Sequence, residues 1–387
     1  MRNSLLLALA FTSLTAFSQN IQLSPQAEIS NIICGPWQGE VYSAFGHNAI
    51  RVYDPVNQID DAYNYGVFDF NQPNFYLNYT RGLLLFKLGV YPYPDFRGYY
   101  VYYNRSVTEQ VLNLSASQKQ SIYDFLEWNA RPENETYRYD YFYNNCATQV
   151  RDVFAKTLKD SIQFDGSFIK TNYSIRQLTD IYLIKQPWGD LGIDICLGLP
   201  MDKKATPYEY MFLPDYLGLS FDHATLKKGN TDVPLVKEKR LVFVSQPENV
   251  LPGFYPPWVV FGVFLVIAVG LSFYDLRRKK LSRWFDLIVF GTLGFLGLLL
   301  FLLWTATDHA AAAWNFNLLW ALPTHVFALV IYRKKSAPFL KKYFLIVTGL
   351  TLILLASWFI LPQQLNNYLL PFVAALLCRA VVIYRLM

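Results

Sequence analysis

The chain has 387 residues, 53% hydrophobic and only 16% charged, a deficit against the roughly 25% of ordinary soluble proteins that points to membrane segments. Its net charge of +5 is split: residues 256–387 carry twelve Lys/Arg and three Asp/Glu, residues 1–255 twenty-two and twenty-six. The basic excess lies in the apolar half and not on a soluble face, which excludes a nucleic-acid-binding protein.

Residues 1–18 read as a signal peptide. Arg2 supplies the positive start, Leu5 to Phe17 the apolar core, and Ala16 and Ser18 the small residues before a new N-terminus at Gln19. The apolar run is shorter than the ~20 residues a membrane span needs. An exported domain is expected over 19–250 and a membrane domain over 251–387. Glu28–Cys34, Ala49–Tyr53 and Ala62–Phe68 have strand composition, the last two separated by a turn at Asp54-Pro55 and Asn57. Ser115 with Gln118 forms a capping box before the stripe Ile122, Phe125, Leu126. Cys146–Lys159 sets Val150, Val153, Phe154 and Leu158 on one helical face, and Ser174 with Gln177 caps a helix carrying Leu178, Ile181 and Tyr182. Strands mixed with helices give an α+β domain. The polar stretch Lys227–Val250 reads as a linker.

Five apolar runs follow, at about 258–274, 285–304, 314–332, 343–361 and 367–385, with Trp258, Trp284, Trp304, Trp314 and Tyr343 at their ends. Arg277, Arg278, Lys279, Lys280 and Arg283 fill one loop, and Arg333, Lys334, Lys335, Lys341 and Lys342 another. The loops at Thr305–Ala313 and Pro362–Asn366 have no Lys or Arg. The positive-inside rule puts the basic loops and the C-terminus in the cytoplasm and the N-terminal domain in the periplasm of a bacterial inner membrane. Asp286 and Arg379 stand toward cytoplasmic ends, within reach of the interface. His325, deep in a span, is expected to make a helix–helix hydrogen bond. Asp308 and His309 lie in a periplasmic loop, either as solvated residues or as part of a substrate-binding surface.

Of four cysteines, Cys34, Cys146 and Cys196 are in the exported part and Cys378 is not. A Cys34–Cys196 bridge is open but nothing demands it. Cys146 follows Asn144 and Asn145, either of which can cap the helix that starts there. A thiol at a helix N-terminus is activated toward the thiolate and has backbone N–H groups nearby for an oxyanion, a role assigned to Asn145. A buried structural cysteine is the competing reading. The exported domain has two histidines, His47 at the start of a strand and His223 in a loop-like stretch. His47 is the better base because a rigid element aims it. Asn64 is placed to orient its imidazole, with Asp61 a weaker alternative. No zinc spacing, Gly-rich phosphate loop or G-x-S-x-G motif occurs, so neither metal nor cofactor is expected.

The segments FGHNAIRV and YRYDYFYNNCATQVRDVF resemble circularly permuted NlpC/papain-like domains, with His before Cys. NNCATQV is also similar to the cysteine helix of lecithin–retinol acyltransferases. With RGLLLFKLGVYPY, NRSVTEQVLNLS, MFLPDYL, TDH and NFNLLWALPTH in order, the chain most resembles the Lnb-type lipoprotein N-acyltransferases. The resemblance implies a permuted papain-like domain followed by an all-α five-helix transmembrane bundle. It also implies catalytic Cys146 and His47, a phospholipid acyl donor and a diacylated lipoprotein acceptor. A membrane-anchored cysteine peptidase or amidase acting on peptidoglycan is the alternative, but five spans suit lipid substrates better than soluble ones.

Overall fold

The computed structural model describes residues 21–68, 71–247, 255–328 and 337–387. The expected signal peptide lies outside these residues, as does the basic cluster at Arg333–Lys335. In chain order the periplasmic part runs β1 (Glu28–Cys34), β2 (His47–Asp54), β3 (Ile59–Val67), α1 (Phe75–Arg81), β4 (Leu85–Pro92), α2 (Tyr93–Tyr102), β5 (Val107–Leu112), α3 (Ala116–Asn129), β6 (Thr136–Arg138) and α4 (Cys146–Leu158). It continues with β7 (Ile162–Gln163), α5 (Ile175–Leu183), α6 (Pro187–Cys196), α7 (Pro207–Tyr210), α8 (Pro214–His223), β8 (Thr225–Lys228), β9 (Thr231–Pro234) and β10 (Val236–Phe243). Strands β10-β5-β1-β2-β3-β4-β6 form one antiparallel sheet, and β7-β8-β9 a small second one.

Alternation along the strands sends side chains to two faces. On one, Ile50, Val52, Tyr63 and Tyr65 pack against Ile122 and Leu126 of α3 and Val150, Val153 and Phe154 of α4. On the other, Ile32, Cys34, Ala49 and Ala62 are covered by Tyr93, Phe96 and Tyr100 of α2. Arg51 ties the sheet across strands, with Nε 2.7 Å from Asp60 and Nη1 3.0 Å from Glu109. Its guanidinium lies 3.9 Å from the Tyr93 ring centroid. The capping boxes expected at Ser115 and Ser174 are both present.

The stretch expected to be a linker, Lys227–Val250, holds the end of β8, then β9 and β10, and its last residues, 248–250, lie outside the described ones. Its polarity has a structural cause, because β10 is an edge strand. Charges such as Lys237, Glu238 and Lys239 shield such an edge from pairing with another chain.

The membrane part contains α9 (Pro257–Arg278), α10 (Arg283–Thr305), α11 (Ala337–Ser357) and α12 (Leu370–Leu386). Among the described residues, four helices are long and apolar enough to cross a membrane. The third apolar run does not begin as a span. Residues 310–324 form short turns, at Ala310–Ala312 and Phe316–Leu319, and a helix starts only at His325. Asn315 and Asn317 spend their amides on carbonyls of α6, and Pro323 cannot continue a helix from before it.

Arg379 is fully buried among the helices. It bonds Asp286 at 2.8 Å and Asp275 at 2.9 Å, joining α12 to α10 and α9, because an unpaired buried charge would cost far more than a pair. Cys34 and Cys196 are free thiols. Cys34 faces the α2 side of the sheet, whereas Cys196 packs with the membrane helices. His325 makes its expected bond, Nδ1 to the Tyr343 hydroxyl at 2.7 Å.

Candidate active site

Helix α4 begins where the sequence says it should. Asn145 is its N-cap: Oδ1 accepts the Thr148 N–H at 2.9 Å, and Thr148 Oγ1 accepts the Asn145 N–H at 2.7 Å. Cys146 thus occupies the first helical position, half-buried, at the positive end of the helix dipole. The Asn145 side chain is not available to an oxyanion. Its Nδ2 donates to the carbonyls of Tyr141 and Phe212, both at 2.8 Å. The second of these explains the MFLPDYL segment, which supplies the carbonyl that locks the cap. Asn144 stabilises the preceding turn, donating to Arg138 O at 2.6 Å and accepting from Gln149 at 2.6 Å.

His47 opens β2, and Asn64 continues the β3 register opposite Ala49, two residues along from His47 and on the same face. His47 Nε2 donates to Asn64 Oδ1 at 2.5 Å, which leaves Nδ1 for the Cys146 thiol, a direct side-chain partner. Asp61, three residues before Asn64, points to the opposite face of the strand and does not meet the imidazole. His223 is the last residue of α8, with Nδ1 on Leu219 O at 2.9 Å, and plays no part in the site.

Burial disfavours a thiolate at Cys146. The positive imidazole of His47, its hydrogen bond, and the N–H groups of Asn48 and Ala147 outweigh that cost and hold the thiol below its ordinary value. Burial likewise disfavours the imidazolium, but the thiolate and the bonds to Cys146 and Asn64 carry His47 above its ordinary value. Both shifts favour the thiolate–imidazolium form over the neutral pair.

Three contributors had no sequence signal. Tyr100 stacks on His47, with ring centroids 6.0 Å apart and planes at 15°. The Asn48 N–H supports the sulfur. Gly66 sits at a β-bulge with φ +96°, a conformation that favours glycine, and a Cβ there would lie 3.7 Å from Cys146 Cβ and 3.9 Å from His47 Cε1. Among the described residues, one carboxylate group has metal-ligand spacing, Asp180 with Asp190 and Asp194. It packs against Arg176 and Asn366 and is not part of this site.

Asp308 and His309 do not sit free in solvent. Asp308 pairs with Arg138 at 2.9 Å and its N–H bonds Arg81 O at 2.9 Å, while His309 Nε2 bonds Tyr79 O at 3.2 Å. They seat the membrane loop on α1 and β6, close to where the chain turns toward Cys146. Gly82 has φ +74°, and a Cβ there would fall 3.1 Å from the Asp308 carbonyl carbon, so glycine permits this approach.

No curated protein and no solved structure matches the chain. The Lnb N-terminal periplasmic domain matches residues 16–181 and the Lnb transmembrane domain residues 249–387, leaving α6, α7, α8 and β8–β10 outside both. With both domains present in this order, the chain belongs to the Lnb family.

Proposed function

We propose that the protein is a membrane lipoprotein N-acyltransferase working through a Cys146 thioester. The observation that carries this reading is the polarised Cys146–His47–Asn64 arrangement, held beside the membrane loop that docks through Asp308 and His309. In the first half-reaction the Cys146 thiolate attacks an ester carbonyl of a phospholipid. The S–C bond forms, the C–O bond breaks, and the His47 imidazolium gives its proton to the departing lyso-lipid oxygen. In the second, the α-amine of a diacylglyceryl-cysteine lipoprotein attacks the thioester. The N–C bond forms, the C–S bond breaks, and His47 takes the amine proton, restoring the ion pair. The Cys146 N–H, at the first position of α4, serves the oxyanion in place of the Asn145 side chain. His47 preceding Cys146 agrees with a permuted papain-like order.

The test is accumulation of the intermediate. With phospholipid and no acceptor, the peptide containing Cys146 should gain the mass of one acyl chain. Neutral hydroxylamine should remove it, and so should a diacylated lipopeptide with a free amine but not an N-acetylated one. Cleavage of a peptidoglycan peptide with no acyl adduct would replace this reading with the peptidase. Asn64→Ala should slow turnover by about a hundredfold, the lower end of what acid–base catalysis contributes. It should leave the Cys146 peptide still able to load, and equal loss with Cys146→Ser would show that Asn64 does more than orient.

We assign the periplasmic side to the N-terminal domain and to the Asp308–His309 loop, and the cytoplasm to the C-terminus. A reporter active only in the periplasm should work when fused after Gln246 or Ala313 and be silent after Lys280. Activity after Lys280 would reverse the topology.

A further inference from the structure

Five aromatic rings stand in file along the β4–β6 edge of the sheet. The Tyr79 ring is 6.3 Å from Phe75, Phe75 is 6.5 Å from Phe68, Phe68 is 5.1 Å from Phe86, and Phe86 is 4.1 Å from Tyr139. One end of the file touches the membrane loop, since the Tyr79 carbonyl accepts from His309 and the Arg81 carbonyl from the Asp308 N–H. Trp304, at the end of α10, and Trp314 pair at 4.9 Å where that loop begins and ends, the kind of pairing that marks the level of the lipid headgroups. The other end lies at the approach to α4. The Asp140–Asn144 bridge folds the chain back between Tyr139 and the start of that helix, whose first residue is Cys146.

The same edge is unusually apolar for a surface. Tyr76 is 77% exposed, Tyr79 57% and Leu77 56%, and such clusters mark a place where something apolar binds. Beyond Tyr139 the surroundings turn polar: the Tyr137 and Tyr141 hydroxyls are buried and find no acceptor among the described residues. A molecule apolar along its length and polar at its reacting end fits this sequence of environments.

We propose that the ring file from Tyr79 to Tyr139 is the binding track for one acyl chain of a membrane lipid, leading from the bilayer surface at the Asp308–His309 loop to the Cys146 thiol. The proposal rests on the acyl-transfer reading above and supplies its donor site. Continuity with the membrane loop selects a lipid over a soluble partner, because a chain leaving the bilayer here meets an aromatic ring at each step of the path. A preference for long chains over short ones follows, since each further methylene is covered by a ring.

Cross-linking tests the occupant without needing turnover. Full-length Cys146→Ser protein is placed in phosphatidylethanolamine–phosphatidylglycerol vesicles with a trace of phosphatidylcholine carrying a diazirine at the end of one acyl chain. After illumination, adducts are expected on the peptides holding Phe68, Phe75, Phe86 and Tyr139, besides those on α9. Adding Phe86→Asp should lower the track adducts at least fivefold relative to those on α9. Adducts confined to the membrane helices would overturn the track. With Cys146 present, loading from hexadecanoyl and from acetyl aryl esters gives a second readout. Phe86→Asp should lower the hexadecanoyl-to-acetyl ratio at least tenfold, and an unchanged ratio would overturn the track. Failure of the acyltransferase reading looks different: track adducts would form while phospholipid never loads Cys146.

Discussion

Cys146→Ser should leave the protein folded and abolish acyl loading, and His47→Ala should lower turnover by about 10⁴-fold or more, as for covalent catalysts stripped of nucleophile or base. The ion pair makes the origin of the loss measurable. Iodoacetamide alkylates the thiolate, so its rate with pH reports the Cys146 titration. In the native protein the midpoint of that rate should lie below the ordinary thiol value of 9, because His47 holds the thiol down. In His47→Ala the imidazolium and its bond are gone, burial of the sulfur is opposed only by the Asn48 and Ala147 N–H groups, and the midpoint should move upward. Turnover needs the thiolate and the imidazolium together. It should therefore fall on the acid side through the lowered Cys146 value, and on the alkaline side through the His47 value, raised above 6.5. An unchanged alkylation midpoint in His47→Ala would show that His47 does not tune the thiol.

The parts legible in the sequence are those whose cause is local. Strands β1, β2 and β3 have strand composition, the caps at Ser115, Asn145 and Ser174 announce their helices, and two exported histidines leave little choice of candidate base. Asn64 and Asp61 lie on opposite faces of β3, and choosing between them needs the β2–β3 register, which a period of two within one strand does not carry. What stayed hidden depends on distant partners. The Lys227–Val250 stretch reads as linker because the charges that guard an edge strand look the same as those of a solvated tether. The 314–332 run reads as a span because hydropathy counts Asn315 and Asn317 as interruptions and cannot show that they serve carbonyls of α6. Arg379 meets Asp275 and Asp286 from about a hundred residues away. Tyr100 stacks on His47 through a helix whose tyrosine-rich sequence has little periodicity.

The second large effect is expected where the two halves of the molecule meet. Arg176 is fully buried on α5, bonding Asp194 at 2.7 Å and Asp202 at 3.0 Å. The same acidic group reaches the membrane loops: Asp194 and Asp190 accept from Asn366, and Asp202 from the Gln364 N–H. Asp180 has its carboxyl pushed up to about 8 by burial and by Asp194 and Asp190, and Asp190 is pushed up to about 6. Removing Arg176 leaves these carboxylates uncompensated, so Arg176→Ala should cost about 3–5 kcal/mol, read as a large fall in thermal midpoint. Arg176→Ala with Asp194→Asn should recover part of the loss, because one stranded charge is gone. The pH dependence has a definite sign. A carboxyl whose folded value is raised stabilises the fold in its protonated form, and that contribution is full below its unfolded value near 4 and lost as pH rises through the folded value. Asp180→Asn, which keeps the shape of the protonated acid, should therefore raise the thermal midpoint more at pH 8.5 than at pH 5. An equal effect at both would mean that Asp180 carries no buried proton in the folded protein.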